Sequence, residues 1–281
     1  MLGVDKIIKI LELVVFSGHI KGEQPVSALV ASLPEAGKSE MIMKLADNEG
    51  CLVLTDVTAY GIMKDYAKRI AEKEIRHIII PDLIKPMSRG KDTVHSLIAF
   101  LNCLLEEGVM KMSTYAMSVG VPSEGMSVSS PSTPIKCGLI TAMAKDLLLD
   151  GSHHWTQMGF MSRMLLISYD YNVSTQLSIH KSIAERQYLS EAKIKLNLPK
   201  EDVEVKLDIK QADSLMTLST ALSHIGNKAN PEKVYGFRLQ KILQRLAMAS
   251  ALSEGRDTVE EKDVEVIRQL AVYMNLDFNP L

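Results

Sequence analysis

Residues 26–42 read VSALVASLPEAGKSEMI. An apolar run (Val26, Ala28, Leu29, Val30) leads into a loop holding Pro34 and Gly37. Gly37-Lys38-Ser39 follows, and Met41, Ile42 and Leu45 then share one face of a helical pattern. A strand, a glycine-containing loop, a GK[ST] triplet and a helix form the setting of a phosphate-binding loop. In that setting the loop N–H groups cradle phosphates, the lysine reaches the β- and γ-phosphates, and the hydroxyl binds Mg²⁺. The pattern is incomplete, because Ser32 stands where G-x-x-x-x-G-K-[ST] has its first glycine. The plainer reading is a strand–turn–helix with an exposed lysine, and the rest of the chain has to decide between them.

Working outward, short apolar runs alternate with helical stretches. Residues 1–18, MLGVDKIIKILELVVFSG, read as an amphipathic helix punctuated by Asp5, Lys6, Lys9 and Glu12, whose apolar stripe (Ile7, Ile8, Leu11, Val14, Val15) reads as core packing rather than a signal peptide or membrane span. Cys51–Leu54 and His77–Pro81 read as buried strands, with helical spacing from Val57 to Glu74 between them. A helix spans Thr93–Glu107 and Gly108 stops it. Residues 109–119 are expected as a hairpin, and the Ser-, Pro- and Gly-rich 120–134 as a loop. Ile135–Met143 and Met164–Tyr169 complete the strands. This alternation predicts an α/β fold, a parallel sheet with helices on both faces. Beyond about residue 172 the pattern changes. Residues 192–209 alternate as a β-hairpin around Pro199-Lys200-Glu201-Asp202, and 212–275 read as helical. The expected division is a nucleotide-binding core, 1–172, and a smaller, mainly helical lid, 173–281, carrying that hairpin.

Composition sets limits. The 281 residues carry a net charge of −2, so no general basic field draws the chain to nucleic acid. Cys51, Cys103 and Cys137 are far apart without metal-ligand spacing, and read as reduced thiols of a cytoplasmic protein. His153-His154-Trp155 reads as a polar loop with an aromatic anchor rather than a metal site.

Four landmarks follow the loop. Ile78-Ile79-Ile80-Pro81-Asp82 ends a buried strand in a carboxylate, which suits the Mg²⁺ shell opposite a phosphate-binding loop. Leu139-Ile140-Thr141-Ala142 is a strand with a polar end; Gly159-Phe160-Met161-Ser162-Arg163 precedes the last strand; Arg238 opens FRLQKILQRLA. In this order the chain resembles the ATPase module of the minichromosome maintenance (MCM) helicases, within the AAA+ class of P-loop NTPases. PEAGKS, IIIPDLIKPM, LLEEGVMKMSTYAMS, GLITAMAKD, FMSRMLLISY, FRLQKILQRLAMASAL and GRDTVEEKDVEVI answer to that family's successive motifs, over roughly residues 5–275.

The resemblance implies ATP with Mg²⁺. The loop residues Pro34, Glu35, Ala36, Gly37, Lys38, Ser39 and Glu40 would surround the nucleotide with Asp82 and Thr141, and Ser39 and Asp82 would hold the metal. Arg163 falls at the family's arginine finger, which enters a neighbouring subunit's site, and Arg238 at the sensor of the γ-phosphate. The alternative for each arginine is a surface ion pair. Leu83 stands where the family has its catalytic glutamate, and an aliphatic side chain accepts no proton. Either Glu106 or Glu107 supplies the carboxylate or hydrolysis is slow; the plain alternative for both is a solvated helix end.

Three functions compete. One is an ATP-driven hexameric ring acting on DNA in replication or processing, with the 109–119 hairpin lining its pore. Another is a slow or non-hydrolysing nucleotide switch or loader assembling on DNA or on a replication or recombination protein. The last is a scaffold, against which the retained Lys38, Ser39, Asp82, Arg163 and Arg238 argue.

Overall fold

A computed structural model describes residues 3–109, 134–149, 159–186, 193–226 and 236–275. Five strands form one parallel sheet in the order β2-β3-β4-β1-β5: β1 Ala28–Ser32, β2 Cys51–Val53, β3 His77–Ile80, β4 Gly138–Ala144 and β5 Leu165–Ser168. The helices include α1 Asp5–Ser17, α2 Lys38–Met43, α3 Ala59–Ala71, α4 Ile84–Met87, α5 Lys91–Asn102, α6 Val173–Ala184, α7 Ile209–Gly226, α8 Phe237–Ser253 and α9 Glu261–Leu270, and residues 145–149 are helical as well. A π-helical turn, Cys103–Glu107, extends α5.

Period-two alternation explains why helices cover both faces. Ala28, Val30, Ile79, Ile140, Leu165 and Ile167 point to one side and join α1, α8 and α9 in the first core cluster. Leu29, Ala31, Ile78, Ile80 and Leu139 point to the other and meet α3 and α5. The first cluster contains residues on both sides of position 172, since Leu243, Leu246 and Ile267 share it with the strands.

The sheet also sets where a ligand belongs. β1 lies between β4 and β5; the chain leaves β1 for β2 at one edge of the sheet and later leaves β4 for β5 at the opposite edge. Such a reversal of strand order opens a crevice at the carboxyl ends of the strands. The loop 33–37 leaves β1 at that end and leads into Lys38 and Ser39 in the first turn of α2.

The hairpin expected at 192–209 is not there. Among the described residues, 193–208 contain no strand and run as one extended strap across the body. Ile194 N–H donates to Lys44 O at 2.9 Å and Val203 N–H to His19 O at 2.9 Å, while Lys206 N–H donates to Asp257 O at 2.8 Å. The alternating apolar side chains mislead: Ile194, Leu196, Leu198, Val203 and Leu207 pack against the first core cluster rather than on one another. Asp202 fastens the strap through ion pairs with Lys73 and with Arg76, the latter at 2.6 Å. Burial pushes the Asp202 carboxyl up, but hydrogen bonds and charge from Lys73 and Arg76 outweigh it and hold it below its ordinary value.

Beneath the strap lie His19 and His77, both buried. Burial, with the Arg76 charge added, lowers His19 to about 4. Burial lowers His77 to about 3, against the hydrogen bond between its Nε2 and Val26 O at 3.2 Å. Among the described residues no helix is long and apolar enough to cross a membrane. The 109–119 hairpin, apart from Val109, and the His153-His154-Trp155 run lie outside the described residues.

Candidate functional site

The phosphate-loop candidate is built on two left-handed residues. Gly37 has φ +76° and ψ +15°, a conformation that suits glycine, and it lets the chain turn from loop into α2. Glu35 is also left-handed, at φ +63°, which is uncommon for a side-chain-bearing residue. Ser32, the residue replacing the pattern's first glycine, is the buried last residue of β1, and its carbonyl takes a hydrogen bond from Lys38 Nζ at 3.1 Å. Lys38 Nζ also donates to Leu33 O at 2.5 Å, so the cation is folded onto its own loop. Burial lowers the Lys38 pKa and the Asp82 charge opposes it, which places that carboxylate within electrostatic reach of the loop.

Ser39 is exposed and its Oγ donates to Pro81 O at 2.8 Å, stitching the loop to the residue before Asp82. Asp82 Oδ1 accepts from Ile84 N–H at 3.0 Å. A hydroxyl and a carboxylate are hard oxygen donors, and Mg²⁺ takes one or two such protein ligands while keeping waters. With Lys38 as the phosphate cation, the residues present fit a magnesium-bound nucleotide. Pro34, Glu35 and Glu40 are exposed beside the loop and Ala36 is buried. Thr141 is buried and its Oγ1 donates to Ile80 O at 2.7 Å, so its hydroxyl proton is engaged across the sheet.

Two tyrosines enter the site that sequence reasoning missed. Tyr169 and Tyr171 hydroxyls both donate to Ala36 O, at 2.7 and 3.0 Å, and hold the loop to the end of β5. The available signal was β5 itself: a strand adjacent to β1 delivers its final residues to the same edge of the sheet.

The other four candidates form a second group. Glu106 Oε1 and Oε2 accept from Arg238 Nε at 2.9 and 3.0 Å. Arg163 Nε approaches Glu106 Oε2 to 2.9 Å as a charge pair, without an aligned N–H. Arg163 Nη2 donates to Glu107 Oε1 at 3.0 Å and its Nη1 to Gly159 O at 2.7 Å. Gly159 has φ +69°, and a Cβ there would meet Arg163 Nη1 at 2.7 Å, so this residue type admits the arginine. Burial pushes the Glu106 carboxyl up, but the hydrogen bond and charge of Arg238, with Arg163 and Lys241, bring it below its ordinary value. A carboxylate so paired is a weak proton acceptor, which counts against Glu106 as the base in this arrangement. Neither glutamate is a freely solvated helix end. Among the described residues, no hydrogen bond or ion pair joins this group to Lys38, Ser39 or Asp82.

Leu83, where the resemblance leads to the expectation of a glutamate, is a core residue. Its N–H donates to Ala142 O at 3.0 Å, and its side chain, 1% exposed, belongs to the second core cluster. The position beside Asp82 is therefore turned into the core.

No family model matches the chain, and no curated protein does. Among solved structures, a full-length MCM homolog from Methanopyrus kandleri aligns with 99% of this chain and 57% of its own, at 15% identity and a TM-score of 0.51. The chain thus spans little more than half the length of that homolog. At such identity the likeness is one of fold, and the fold is MCM-like.

Proposed function

We propose that the chain is an ATP-binding AAA+ module, with residues 173–281 as its lid, that works as a subunit of a ring, hexameric by resemblance, on DNA. The carrying observation is the Ser39 Oγ to Pro81 O hydrogen bond at 2.8 Å, which puts the loop hydroxyl beside the strand end bearing Asp82. Lys38 and the loop 34–40 would take the phosphates, Ser39 and Asp82 the Mg²⁺ shell, and Arg163 and Arg238 would serve phosphates across a subunit boundary. The MCM-like fold supports the ring and the DNA track, with a replication or recombination protein as further partner.

A specific feature favours slow turnover over a fast motor. Leu83 is core, and Glu106 is held by two arginines. With Leu83 buried and Glu106 paired, neither is placed to orient water, and ATP acts chiefly as a signal for assembly. The test is steady-state ATP hydrolysis with and without single-stranded DNA. Turnover below about 1 s⁻¹ in both conditions supports the switch, since enzymes typically run at 1–10³ s⁻¹. Turnover in that enzymatic range, stimulated by DNA, replaces it with a motor.

A further inference from the structure

Glu106 occupies an unusual place for a carboxylate. It lines a cleft of about 170 Å³ whose other charged walls are Lys136, Arg163, Arg238, Lys241 and Arg245. Two of the five cations, Arg163 and Arg238, converge on the single oxygen Glu106 Oε2, each at 2.9 Å. Arg245 pairs with Glu23 at 2.9 Å, and the Lys241 charge acts on Glu106 as well. The cleft is open and cationic, with one anionic group at its centre. Arg238 presents its Nε–Nη2 edge to this carboxylate and Arg163 adds a charge pair, an arrangement of cations that suits a phosphate group as well as a carboxylate. Glu106 is presented by the π-helical turn Cys103–Glu107, closed by Gly108 at φ +88°. Such turns are rare and cluster at functional sites.

We propose that Glu106 is an internal stand-in for a phosphate, holding Arg163 and Arg238 in the lone subunit until a polyphosphate displaces it. The inference rests on the reading of those arginines as phosphate ligands across a boundary and adds its regulation. The arginines are masked before assembly, so a subunit without a nucleotide-bearing neighbour keeps a closed clasp. The exchange is one anion for another on the same two guanidiniums. It strengthens with phosphate charge, weakens with salt and involves no covalent step.

The test uses the full chain with inorganic tripolyphosphate as probe, in a Lys38→Ala background that removes the phosphate loop's contribution. Adding Glu106→Gln should tighten tripolyphosphate binding about tenfold, the scale of one charge-assisted contact. Glu106→Asp should restore the weak binding, and Arg238→Ala added to Glu106→Gln should remove the gain. Equal binding with and without Glu106→Gln, each variant folded by circular dichroism, overturns the proposal. If Glu106→Gln unfolds the chain, the Glu106→Asp and Arg238→Ala variants decide: tripolyphosphate binding unaffected by Arg238→Ala also overturns it.

A second arm, with Lys38 intact, follows sedimentation against ATP. Glu106→Gln should assemble at a lower ATP concentration than the unaltered chain. If neither protein assembles while the tripolyphosphate gain stands, the ring reading fails and the phosphate stand-in survives. If both assemble but the gain is absent, the stand-in alone fails.

Discussion

Leu83→Glu, which puts a carboxyl next to Asp82, should fail to raise ATP turnover and should destabilise the fold. Leu83 is 1% exposed among apolar neighbours. Removing its buried side chain forfeits about 1.5–3 kcal/mol. The new carboxyl has no cation in that cluster, so it stays folded only when neutral. Holding a carboxyl of ordinary pKa about 4.3 neutral at pH 7 spans about 2.7 units, or roughly 3.7 kcal/mol at 1.36 per unit. The total of about 5–7 kcal/mol is comparable with the whole stability of a modest domain. The sign is checkable. A folded-state pKa raised above 4.3 makes this contribution fully favourable below that pH and lost as pH rises toward the raised value. Leu83→Gln carries the polar burial without the ionisation and serves as reference. Urea melts at pH 4.5 and 7 should show the two variants similar at the lower pH and the Leu83→Glu protein weaker by about 3–4 kcal/mol at the higher. If Leu83→Glu is as stable as Leu83→Gln at pH 7 and hydrolyses ATP faster than the unaltered chain, the side chain reaches the nucleotide and the account of the missing base is wrong.

Acid should weaken the fold through its buried histidines. His19 and His77 are lowered to about 4 and about 3, so their stability is fully present above 6.5 and is lost as pH falls toward those values. The expected slope is up to about 1.4 kcal/mol per pH unit for each histidine, read by urea melts between pH 6.5 and 5; a flat profile contradicts the burial argument. Asp202→Ala leaves Arg76 short of its partner and should cost about 1–3 kcal/mol, with faster amide exchange at Val203, which bonds to His19 and Lys21; unchanged exchange there means the strap is held by apolar packing alone. Tyr169→Phe removes a buried hydrogen bond to Ala36 O, worth about 1 kcal/mol. ATP affinity should drop severalfold, and an unaltered affinity would show that the tyrosine does not shape the loop.

The sheet was legible because its strands are mostly apolar and punctuated. His77-Ile78-Ile79-Ile80, for example, is buried on both faces and bounded by charged or turn residues. The 193–208 strap was not legible, since alternation records that one side of an extended chain is covered without saying by what. Here the cover is the body of the protein, and only the structure supplies the partners Lys44, His19 and Asp257. The site divides similarly. Lys38, Ser39 and Asp82 announce themselves by spacing, because a phosphate loop is local. The convergence of Glu106, Arg163 and Arg238 joins positions far apart in sequence, so pairing could not be read from any one stretch. Nor could the inward direction of Leu83, which depends on how the chain leaves β3.

The central claim is that the Gly37–Ser39 loop binds ATP. It is tested most directly by titrating a fluorescent ATP analogue with Mg²⁺ against the unaltered chain and against Lys38→Ala, with circular dichroism confirming the fold of both. Saturable, Mg²⁺-dependent binding that Lys38→Ala abolishes is expected. Equal affinity in the two folded proteins, or no binding by the unaltered chain, would contradict it.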